Sequence, residues 1–169
     1  MSTLFHGSAL CAVDKDGSVD VPAFVAEALG PDSASIELFV GKHEIDSCLI
    51  GYDRTHLRTL SDRTERRRLA DEDAGQDGAA HYRRSRRTFG IVEKLAPEKD
   101  ERLHIPAAMR HLGKIERLAL FIGTGDSFEI WNPDLAMESA DEQFRDLAAF
   151  RMRTYRGRAG RKLPRKAAR

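Results

Sequence analysis

Cysteine is nearly absent: Cys11 and Cys48 are the only two in 169 residues, and each sits in an apolar context, "ALCAV" and "SCLIGY". Thiols in such surroundings read as small buried residues, which leaves no disulfide framework and no cysteine zinc site. The six histidines (His6, His43, His56, His81, His104 and His111) are scattered without metal-ligand spacing, so neither a metal nor a cofactor is expected. Long apolar runs are missing as well. None approaches the roughly 20 residues that a membrane-spanning helix requires, and the start "MSTLFHGSAL" lacks the basic and then apolar regions of a secretory leader. With 41% hydrophobic beside 33% charged residues, the expectation is a soluble, cytoplasmic protein of one compact domain or two small similar units.

Linear catalytic signatures are lacking too. "GTGDS" (123–127) is a glycine-containing turn between strands, not the strand-to-helix loop that cradles phosphates. No Ser, His and acid set and no paired carboxylates emerge from the spacing, so neither an enzyme nor a small-molecule substrate is expected.

What the chain does have is an uneven distribution of charge. The formal net charge is only +1, yet residues 151–169 hold nine Lys or Arg and no acid, which leaves an excess of eight acids in the other 150 residues. Residues 1–53 carry two bases against nine acids, and residues 54–87 carry ten bases against six acids. A basic terminal arm is an ordinary way to hold nucleic acid or another polyanion, and equally a solvated tail with no dedicated partner.

It also has a repeat. At an offset of 84, Phe5, Ala12, Lys15, Asp16, Pro22 and Ala23 recur as Phe89, Ala96, Lys99, Asp100, Pro106 and Ala107. Asp14 becomes Glu98, Val19 becomes Leu103 and Val21 becomes Ile105, and "LFVG" (38–41) returns as "LFIG" (120–123). A tandem duplication accounts for all of these. In each copy a strand (Leu10 to Val13; Ile91 to Leu95) leads into a charged turn, and a second strand follows whose alternation puts Val19 and Val21, or Leu103 and Ile105, on one face. Pro22 and Pro106 then open short helices, and two further strands end each copy, "SIELFV" with "SCLIGY" and "RLALFIG" with "SFEIW". Residues 54–70 read as a helix, 71–80 as a loop and "HYRRSRR" as the return. The spacing of Phe144, Leu147, Ala148 and Arg151 predicts a helix over 135–153. A unit of four short strands and one small helix exposes too much apolar surface to stand alone, so the two must share a core, as a closed or nearly closed barrel with both charged turns on one rim.

The order "LFHGSALCAVDKDGSVDVP", "CLIGY", "EKDERLHIPAAMR", "LFIGTGDSFEIW" resembles the MraZ family, over about residues 4–131. The resemblance implies a mainly β, α+β fold: two tandem AbrB-type swapped-hairpin units in one pseudo-twofold barrel, with additional helices after each unit. The corresponding division is 1–53 and 87–134 for the units, 54–86 for the helical connection, 135–153 for a C-terminal helix and 154–169 for a disordered basic tail. It further implies a ring-forming homo-oligomer that binds double-stranded DNA in the nucleoid and represses its own operon of division and cell-wall genes.

The family signature in each unit is Asp, three residues, then Arg. The first copy keeps Asp14 and Gly17 but has Ser18 at the arginine position, whereas the second keeps Arg102 with Glu98 for the acid. Arginine can make two parallel hydrogen bonds to guanine, which serine cannot. Arg102 is therefore the expected base reader, with Lys99, His104 and Lys15 beside it, Asp14, Glu98 and Gly17 shaping the turns, and Arg153, Arg156, Arg158, Arg161 and Lys162 attracting phosphates. Two alternatives stay open: pairing of Arg102 with Glu98 or Glu101 to hold its own turn, and a diverged scaffold subunit without operator recognition.

Overall fold

Each copy begins with a strand leading to its charged turn, β1 (Ser8–Ala12) and β5 (Val92–Glu98), followed by a short second strand, β2 (Ser18–Asp20) and β6 (Arg102–His104). The computed structural model describes residues 4–31, 36–98 and 102–161, with the side chains of 96–98 and 159–161 outside that description. The short helices are α1 (Ala23–Leu29) and α4 (Ala107–Gly113), with Pro22 and Pro106 in extended conformation at the residue before each. The last strands are β3 (Leu38–Lys42) with β4 (Leu49–Asp53), and β7 (Leu118–Gly123) with β8 (Phe128–Trp131).

Pairing crosses between the copies. The strand order is β1-β7-β8-β4-β3-β5-β6-β2, and a Val13–Val19 bridge joins the last strand back to the end of the first. Exchanging each strand for its counterpart in the other copy leaves this ring unchanged except for direction, which is a pseudo-twofold. One axis passes between β2 and β6, where Val19 faces Leu103 and Asp20 faces Arg102. The other passes between β4 and β8. The expected α+β barrel of two interlocked units is thus the fold observed.

Period-2 patterning explains the interior. Val19, Val40, Leu95, Leu103, Ile105, Phe121 and Phe128 are buried together, and Val25 of α1 and Met109 of α4 close the ends at equivalent positions. Gly51 is the complement of Phe128, since a Cβ there would run into the phenyl ring of the strand opposite. Such pairing of small against large is how a close-packed interior is filled. One repeat match is not structural: Phe5 is buried and meets Phe128 edge to face at 5.0 Å, whereas Phe89 is exposed.

Helices differ most from the sequence-based expectation. α2 (Arg54–Asp73) starts on the Asp53 carboxylate, which accepts from the His56 N–H at 3.0 Å. It runs past residue 70, so the loop expected over 71–80 shrinks to 74–78. "HYRRSRR" is helical, as α3 (Ala79–Ser85) and a π-helical turn (Arg86–Gly90), and an Arg84–Asp71 ion pair fastens α3 to α2. The helix expected over 135–153 is two, α5 (Pro133–Met137) and α6 (Glu142–Arg161). Asp141 separates them by accepting from the N–H groups of Gln143 and Phe144 at 3.0 and 3.2 Å, an N-cap that restarts the helix. Residues 154–161, expected in a disordered tail, are the continuation of α6. Phe144, Ala148 and Met152, four apart, turn one face of α6 inward, and Phe144 and Ala148 pack with Trp131, Leu120 and Cys48 outside the barrel. Burial raises the Cys48 thiol far above its ordinary range and pushes Cys11 up to about 11, which disfavours the thiolate at both. Among the described residues no helix is long and apolar enough to cross a membrane.

Candidate nucleic-acid interface

The first charged turn is closed by two backbone hydrogen bonds of 2.9 Å, Gly17 N–H to Asp14 C=O and Asp14 N–H to Ser18 C=O. Gly17 has φ +99° and lies so near the second unit that a Cβ would meet the Ile105 carbonyl at 2.6 Å. Only glycine serves at such a position. The Asp16 carboxylate accepts from both the N–H and the hydroxyl of Ser18, at 3.0 and 3.1 Å, and the Ser18 backbone donor in particular holds Asp16 below the usual aspartate range.

Arg102 stands on β6 beside this turn. Its Nη2 donates to Asp14 Oδ2 at 2.7 Å, and its Nε lies 3.2 Å from Asp20 Oδ1. Both acids belong to the first copy, so Arg102 is oriented across the pseudo-twofold. The alternative partners within its own turn, the side chains of Glu98 and Glu101, lie outside the described residues. Hydrogen bonding to Asp14 raises the Arg102 pKa further, and the guanidinium is a permanent cation.

A residue that sequence reasoning missed secures the turn. Arg110 of α4 donates to the carbonyls of Ile105, Lys15 and Asp16 at 3.2, 3.3 and 3.2 Å. The first copy has Ala26 at the matching place, 84 residues earlier, so the clamp is one-sided. The only sequence signal was that asymmetry.

The structure brings Lys15, Asp14, Gly17, Arg102 and His104 together at this end of the barrel, with Lys15 exposed and His104 half-buried opposite Ser18. The backbone of Glu98 faces Arg102 on β5. Lys99 and Lys162 lie outside the described residues. The arginines of α6 are elsewhere: Arg151 donates to the Ser8 hydroxyl at 3.0 Å, at the start of β1, and six residues of extended chain put Asp14 roughly 20 Å away. Arg153 stands over the Phe150 ring at 6.0 Å, Arg156 and Arg158 are exposed, and Arg161 ends the helix.

No family model matches the chain. Relatives do, over most of its length. A transcriptional regulator MraZ of Caldanaerobacter subterraneus is 30% identical over 141 residues, covering 80% of this chain and 88% of the relative. The MraZ regulator of Lactiplantibacillus plantarum is 29% identical over 131 residues, 78% and 84% of the two chains, and that of Ligilactobacillus salivarius 27% over 148 residues, 86% and 94%. The barrel, its charged rim and these relatives define a transcriptional regulator. The chain belongs to the MraZ family.

Proposed function

We propose that the protein is a sequence-specific DNA-binding repressor that acts as a homo-oligomer, in a ring, on short repeats upstream of a division and cell-wall gene cluster. The observation that carries this reading is the placement of Arg102, the one arginine retained in the two signatures, beside an exposed rim with its guanidinium steered by Asp14. A guanidinium has five N–H donors. The contacts with Asp14 and Asp20 involve Nη2 and Nε, and Nη1 can serve a guanine edge in the major groove. Lys15 and His104 flank it, and Lys99, Arg153, Arg156, Arg158, Arg161 and Lys162 supply attraction to phosphates that falls as salt rises. The 1–53 and 87–134 units act as one reading body, with 54–86 and 135–169 as its attachments.

Selection of bound sequences from random double-stranded DNA tests the reading. The full-length protein should enrich a short repeated site and Arg102→Ala should lose that preference while retaining salt-sensitive binding; identical enrichment by both removes Arg102 as the reader.

A second reading is favoured by the pairing of Arg102 with two acids and by the buried Ser18 at the other signature position. In it the protein keeps the assembly but serves as a scaffold subunit. Equal mobility shifts with operator and random DNA would decide for this alternative.

A further inference from the structure

A cavity of about 470 Å³ lies away from the rim, between α2, the α3–π-turn return and the hairpin ends of the barrel. α2 lines it with His56, Leu60, Arg63 and Arg67, residues at helical spacings of four, seven and eleven that share one face. Arg84 and Arg87 reach it from the return segment, and Asp126 from the β7–β8 turn.

Two features have no structural explanation within the fold. His56 is 4% exposed, yet neither ring nitrogen has a hydrogen-bond partner of good geometry among the described residues, although Nδ1 lies 3.0 Å from Asp126 Oδ2. Buried polar atoms are rarely left so. At the mouth, Arg84 is held by Asp71, but Arg63, Arg67 and Arg87 have no ion pair among the described residues. The acids on the wall are already committed or outward-facing. Asp126 faces His56, Glu129 accepts from the Trp131 indole at 2.6 Å and lies 3.7 Å from His43, and Glu44 is exposed.

We propose that this cavity binds a nucleotide, with phosphates on Arg63, Arg67 and Arg87 and the base against Ile50 and Leu60, its polar edge meeting His56. Arginines bind phosphate through paired N–H donors. The volume falls in the ordinary range for small-molecule sites, and the wall combines apolar Ile50 and Leu60 with charged groups, as a ligand with both a base and phosphates requires. The buried Tyr52 packs on His56 with ring centroids 5.0 Å apart, which fixes the imidazole that the base edge meets. A duplex phosphate could touch the arginines at the mouth, but a rigid backbone does not extend to a histidine at the floor, so a small ligand fits both features where DNA fits one.

Calorimetric titration of the full-length protein with ATP and with pyrophosphate, without DNA, tests the site. ATP should bind saturably at one per chain and more tightly than pyrophosphate. Arg63→Gln with Arg67→Gln should weaken ATP at least about tenfold, and Asp126→Asn, which removes the carboxylate charge 3.0 Å from His56 Nδ1 that orients the imidazole toward the base, should weaken ATP more than pyrophosphate. Arg58→Gln with Arg66→Gln, the same charge change on the same helix away from the cavity, should leave the affinity unaltered. The absence of saturable ATP binding up to about 1 mM overturns the proposal. So does equal loss in both double variants, or an Arg63/Arg67 change that weakens DNA and not ATP.

Discussion

Asp14 and Arg102 are 88 residues apart in the chain and share a 2.7 Å hydrogen bond across the pseudo-twofold, so the acid of one copy aims the arginine of the other. Asp14→Asn keeps an acceptor and removes the charge, whereas Asp14→Ala removes both. Sequence preference in a DNA selection should fall in the order wild type, Asn, Ala, and Arg102→Ala combined with Asp14→Ala should be no worse than Arg102→Ala alone. Additive losses would show that the two act separately.

Gly17 combines a positive φ with a close approach to the Ile105 carbonyl. Gly17→Ala should therefore destabilise by roughly 1–3 kcal/mol in urea unfolding. Gly30→Ala, at φ +68° but with open space around it, should cost less.

Leu103 is at the centre of the β2–β6 seam and 2% exposed. Its replacement by Ala should cost about 2–5 kcal/mol, the range for a buried leucine whose cavity cannot collapse. A loss below about 1 kcal/mol in the unfolding midpoint would mean that the seam is not part of the cooperative core.

Asp16 titrates below the ordinary aspartate range because its ionised form accepts from the Ser18 N–H and hydroxyl. A lowered carboxylate contributes its stabilisation above the ordinary value and loses it as pH falls through the folded one. Carboxyl NMR titration should place the Asp16 midpoint below that of a free aspartate, and Ser18→Ala should return it part of the way.

Arg110 clamps three carbonyls with one planar fork. Lysine cannot reproduce that geometry. Amide exchange at Gly17 and Ser18 should accelerate in Arg110→Lys nearly as much as in Arg110→Ala, with the rest of the barrel unaffected.

The contrast between Val19 and Arg110 shows what a single sequence reveals. Val19 and Leu103, with Val21 and Ile105 one residue past the ends of β2 and β6, announce these strands because period-2 alternation is written in neighbouring residues, and Pro22 and Pro106 mark the helix starts for similarly local reasons. The pairing of Asp20 with Arg102 needs the β2–β6 register, which no local pattern contains. Arg110 grips backbone carbonyls of another element, contacts that any residue types could supply. Phe89 misled for the opposite reason: it matches Phe5 in the alignment of the copies, but the π-helical turn carries it to the surface. His56 was legible only as one of six scattered histidines, since its isolation depends on α2 lying across the β7–β8 turn.

The interlocking of the copies has a consequence during synthesis. β1 and β2 find their ladder partners only in β7 and β6, and the outer edges of the β3–β4 hairpin are covered only by β5 and β8, so the first half leaves the ribosome with these edges unpaired. At about 5–20 residues per second, the repeat offset of 84 corresponds to roughly 4–17 s of waiting. During that interval the β3–β4 hairpin and α2 are what can form locally, and like-charge repulsion from the acidic excess of residues 1–53 opposes edge-to-edge pairing between nascent chains.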